Sequence, residues 1–120
     1  MLNDILFGVS KQVLLRLVYI VSYDLNGAQS EYAAINKSLE DAGYSRNSSA
    51  GEKTIPKNIF AGEKDCSYNS NDMNEKDFIN SESLKFKDEV HAILDKEAPG
   101  KFDKIFVSVS KKDATSIRLE

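Results

Sequence analysis

The sequence predicts an α+β fold of the ferredoxin-like split βαβ class (βαββαβ): a four-stranded antiparallel sheet in the order 4-1-3-2, with two helices on one face. Three observations predict it. Val13–Asp24 is a nearly unbroken run of Val, Leu, Ile and Tyr, as in a central strand. Tyr32-Ile35-Leu39-Ala42 and Phe86-Val90-Ile93-Leu94 recur at helical spacing. Phe102–Ser110 alternates, with Ile105, Val107 and Val109 on one side and Lys104, Phe106 and Ser108 on the other. A small α+β sandwich with different pairing is the alternative.

Met1–Gln12 has no clear period and reads as a short helix or an extension outside the core fold. Asn26-Gly27 turns the chain after the first strand, since both residues tolerate left-handed backbone. Ser30–Ala42 is the first helix, capped by the Ser30 hydroxyl and stopped at Gly43. Tyr44–Ser49 is a weak, polar edge strand and Ala50–Thr54 a loop. Ile55–Glu63 is the next strand, with Pro56 near its start, where a missing N–H is tolerated. Lys64–Ser81, rich in Asn, Asp and Ser, reads as a long mobile loop. Ser83–Ala98 is the second helix, ended by Pro99-Gly100. Residues 111–120 form a tail or a short extra strand.

The 120 residues fit one domain, and an apolar share of 41% is enough for a core without staples. The single cysteine, Cys66, excludes an internal disulfide. A net charge of −3 argues against binding nucleic acid by overall charge alone, although a local basic edge survives it. Asp4 interrupts the apolar start and no basic segment precedes it, so no export signal is read. Val13–Tyr23 carries Arg16 and is too short to span a bilayer. The expectation is a cytoplasmic protein without a membrane partner.

Asp24, at the end of the first strand, is the candidate for metal or phosphate chemistry, because hard cations take oxygen ligands. The bland alternative is a residue that shapes the turn. The predicted topology brings Lys53, Lys57 and Lys101 to the same end of the sheet, where they could contact a nucleic-acid backbone. Glu63, at the end of the third strand, is expected at the opposite end, so pairing it with Asp24 would take a second chain. His91, the only histidine, lies off the apolar stripe and reads as solvated. No Gly-x-Ser-x-Gly, phosphate-binding glycine loop or aromatic RNA-recognition motif occurs.

Val18-Tyr19-Ile20-Val21-Ser22-Tyr23-Asp24-Leu25, Ala42-Gly43-Tyr44 and Phe60-Ala61-Gly62-Glu63 resemble the corresponding segments of the CRISPR-associated Cas-two family and its VapD-type and SinR-like relatives. The resemblance runs from about Val18 to Ser110. It implies a ferredoxin-like homodimer in which the residue matching Asp24 faces its symmetry mate and holds magnesium or manganese. Some members of these families are metal-dependent nucleases acting on RNA or DNA; others are non-catalytic scaffolds that hold DNA. The long polar segment, the polar second strand and the N-terminal extension depart from the compact members.

Overall fold

The computed structural model describes residues 11–25, 31–46 and 59–116. The Asn26-Gly27 turn, the Ser30 cap, the Ala50–Thr54 loop, Pro56, Lys53, Lys57 and most of both termini lie outside the described residues. In chain order the elements are β1 (Gln12–Leu25), α1 (Tyr32–Asp41), β2 (Ser45–Arg46), β3 (Ile59–Asn69), α2 (Glu75–Glu97) and β4 (Phe102–Lys111). A 3-10 turn, Lys112–Ala114, follows.

The expected four-stranded ferredoxin-like sheet is corrected. Three long antiparallel strands, β3-β1-β4, make the sheet, and among the described residues the second strand is only the two-residue β2 on the outer edge of β3. The physical reason is composition: after Tyr44, the described strand residues Ser45 and Arg46 give no apolar face to bury.

β1 is the centre. Leu17, Tyr19, Val21, Tyr23 and Leu25 point to the side that carries both helices and are buried there. Ile35 and Leu39 of α1 meet them, as do Phe78, Phe86, Val90 and Leu94 of α2. Tyr19, Tyr44 and Phe86 pack ring against ring, with centroids 4.8 to 5.1 Å apart. Gly43 takes φ 106° after α1, a conformation that favours glycine, and the Tyr44 amide closes onto the Leu39 carbonyl at 3.2 Å.

The polar stretch Lys64–Ser81 is not a loop. β3 runs on to Asn69, with Lys64, Cys66 and Tyr68 on the helix side and Asp65 and Ser67 on the other, a period of two written mostly in polar residues. α2 then begins at Glu75, eight residues before the predicted start at Ser83. The Asn74 side chain accepts from the Asp77 amide at 2.8 Å, and Glu75 and Asp77 suit the positive end of the helix.

Leu39 is fully buried between α1 and the sheet, so Leu39→Ala should cost about 2–5 kcal/mol. Urea unfolding measures it; a loss under about 1 kcal/mol would contradict this packing.

Candidate functional site

The polar groups gather in three places. The first is the end of the sheet where β1 leaves and β4 enters. Leu25 pairs with Phe102 and Asp24 with Asp103, whereas Tyr23 pairs with Ile105. Lys104 is therefore an extra residue on β4, a β-bulge, and it takes φ 43°, unusual for a residue with a side chain. Its amide donates to Asp103 Oδ1 at 2.9 Å. The bulge sets two exposed aspartates opposite one another, where the Cβ atoms of directly opposed residues stand about 5 Å apart. Without a counter-ion such a pair repels. Exposed Lys101 precedes Phe102 at the same end of the sheet. Asp103 was not a sequence candidate, because its position opposite Asp24 depends on a bulge that no periodicity reveals.

The second place is the sheet face away from the helices. Glu63 sits not at a strand end but within β3, opposite Val18 and six residues along β1 from Asp24, about 20 Å away. Glu63 is 2% exposed, and its carboxylate accepts from Arg16 Nε at 2.7 Å and from Lys112 Nζ at 2.8 and 2.9 Å. Arg16 also reaches Asp65 at 2.8 Å. Burial alone would push the Glu63 carboxyl up; the two cations outweigh it and hold it below the usual carboxylate range. Lys112 thus clasps the segment after β4 to the middle of the sheet.

The third lies between β1, β3 and α2. Tyr19 Oη donates to Glu82 Oε1 at 2.7 Å and lies 3.2 Å from Cys66 Sγ, and Lys85 donates to Glu82 Oε2 at 3.2 Å. Tyr44 Oη donates to Glu89, and Lys64 Nζ sits 4.8 Å above the Tyr44 ring. Burial pushes up the Cys66 thiol and the phenols of Tyr19 and Tyr44, so all three keep their protons at neutral pH. A protonated, half-buried thiol is a poor nucleophile, and this network ties α2 to the sheet rather than doing acid–base work.

His91 is exposed and 3.2 Å from Asp95, with its ring edge-on to Phe102. Among the described residues no group of three or more His, Cys, Asp or Glu comes together, and no helix is long and apolar enough to cross a membrane. No family model, curated protein or solved structure matches the chain.

Because Glu63 ionises more readily folded than unfolded, its contribution is complete above the ordinary carboxylate pKa of about 4.3 and fades as the pH falls through its lower folded value. Lys112→Ala should lose about 1–3 kcal/mol at neutral pH. Glu63→Gln should flatten the acid limb of a melting-temperature profile, and an acid limb unchanged from wild type would refute the clasp.

Proposed function

We propose that the chain is a magnesium- or manganese-dependent phosphodiesterase acting on RNA or DNA as a homodimer, with Asp24 as a metal ligand. The observation that carries this reading is Asp24 lying exposed and directly opposite Asp103 at the sheet end. Two carboxylates suit a hard cation that keeps several of its waters. The resemblance to the Cas-two and VapD-type families singles out the same aspartate. When bound, the cation would supply a Lewis acid for a phosphoryl oxygen and acidify a water.

The chain's own contribution is to hold the two carboxylates together. Pairing that resumes after the bulge at Lys104, through Asp24–Asp103 and Leu25–Phe102, sets the two aspartates opposite one another, and the Lys104 amide orients Asp103. Lys101 offers a cation for backbone phosphate at the same end; Lys53 and Lys57 belong to the same proposal on sequence grounds. A second reading, a non-catalytic dimeric scaffold, is favoured by Phe106, which is 66% exposed on the face away from the helices and offers apolar surface to a partner.

Asp24→Asn keeps the shape and removes one charge. Metal-free, it should melt at or slightly above wild type, because opposed like charges cost about 0.2–1 kcal/mol. Magnesium or manganese should raise the wild-type melting temperature and support cleavage of RNA or DNA, chelator should abolish both effects, and the variant should show neither. Cleavage that survives Asp24→Asn rules out the assigned role. A wild type that binds nucleic acid but cuts neither RNA nor DNA with either metal selects the scaffold.

A further inference from the structure

The sheet face away from the helices carries an exposed ring. Among the described residues four large apolar side chains stand out into solvent, Leu14, Met73, Leu84 and Phe106, and Phe106 is the aromatic one. Every other Phe and Tyr of the described residues is buried or half-buried. Among those residues no second ring packs on Phe106.

Strand register places this ring beside the opposed aspartates. Phe106 pairs with Ser22, and two residues further along β1 Asp24 pairs with Asp103. Residues two apart on a strand share a face, so Ser22, Asp24 and their partners all lie on the side away from the helices. Asp103 and Phe106 are three apart in sequence; they share that face because Lys104 is an extra residue between them. Phe106 and Asp24 are diagonal neighbours, roughly 7 Å apart, a span that an aromatic side chain covers.

The ring stands on a polar floor. Ser22 lies opposite it, Ser108 follows on the same face of β4, and the two aspartates border its other side; Ile20, the second diagonal neighbour, is half-buried. The core of a protein interface is depleted in charge. A lone ring among hydroxyls and carboxylates suits a smaller apolar object, the π-face of an unpaired base whose edges and backbone stay in water.

We infer that Phe106 is a stacking platform for one base of single-stranded RNA or DNA, setting the neighbouring phosphate over Asp24 and Asp103. Every base has a π-face, so the platform selects strandedness and not sequence. A duplex offers it only end bases, because internal ones are stacked on both sides and must be flipped out to be reached. Exposed Lys101, at the same end of the sheet, is placed to meet the backbone. The ring's place beside the phosphate rests on the reading of Asp24 as a metal ligand; its contact with a base does not.

The test is fluorescence anisotropy of short labelled oligouridine and oligothymidine, their duplexes, and strands with abasic sites, in calcium, a cation that also takes oxygen ligands. Wild type should bind both single strands more tightly than their duplexes. Phe106→Ala should weaken single-strand binding at least about fivefold, while duplex binding, the slope of affinity with salt and the melting temperature stay unchanged. Phe106→Trp should keep the wild-type affinity, and Phe106→Leu, apolar but without a π-face, should not. Abasic strands should bind wild type and Phe106→Ala equally. In magnesium, Phe106→Ala should raise KM for single strands and leave kcat within about twofold. A wild type that binds no single strand overturns the inference. So does an affinity that Phe106→Ala leaves unchanged, a loss that Phe106→Leu restores, or an equal loss on abasic strands. If Phe106→Ala turns a dimer into a monomer and leaves single-strand binding intact, the ring belongs to a protein interface instead. A wild type that binds single strands through Phe106 yet cuts neither RNA nor DNA removes the nuclease reading and leaves the platform. One that cuts, with KM and binding unmoved by Phe106→Ala, removes the platform and leaves the nuclease.

Discussion

A strand paired on both edges has its backbone satisfied within the sheet and is left with two faces to cover. β1 meets this constraint over Leu17–Ser22, where β3 lies on one side and β4 on the other. Its helix side, Leu17-Tyr19-Val21, is apolar and lies under α1 and α2. Its other side holds Val18, which is 1% exposed, opposite the buried Glu63. The buried charge is tolerable because Arg16 and Lys112 satisfy it from two directions. The remaining elements are arranged around these two solutions, one apolar and one ionic.

The two polar networks divide the stabilising work by location. The Tyr19–Cys66–Glu82 network lies between sheet and helix and fixes the register of α2, whose second turn offers Glu82 rather than an apolar residue to the core. The Glu63 network lies on the opposite face and fixes the segment after β4. Neither touches the strand end with Asp24 and Asp103, which is left to backbone geometry: pairing that continues through Leu25–Phe102, and one left-handed lysine.

Much of this was legible wherever apolar residues carried the period. Val13–Asp24 reads as β1, Ile35 and Leu39 as the buried stripe of α1, and Ile105, Val107 and Val109 as the inner face of β4. The signal failed where inward positions are polar. Lys64, Cys66 and Tyr68 point to the helix side of β3 with partners supplied only by tertiary contact: the Tyr44 ring, the Tyr19 hydroxyl and the Phe78 ring. The same holds for Glu82, which interrupts the stripe from Phe78 to Phe86 and hid the first turns of α2. At the candidate site Asp24 was visible as a strand-end carboxylate, while Asp103 and Lys112 were not. Their roles depend on a bulge and on a turn that brings distant residues together.

The sheet order also sets a timetable. β1 leaves the ribosome roughly 90 residues ahead of β4. At about 5–20 residues per second, the most apolar segment of the chain waits several seconds without one of its two neighbours. β3 arrives sooner, so a β1–β3 ribbon is the first sheet that can form, and until β4 arrives the whole of one β1 edge is open to other nascent chains. Synthesis of this fold therefore carries an interval of heightened demand on chaperones, set by strand order.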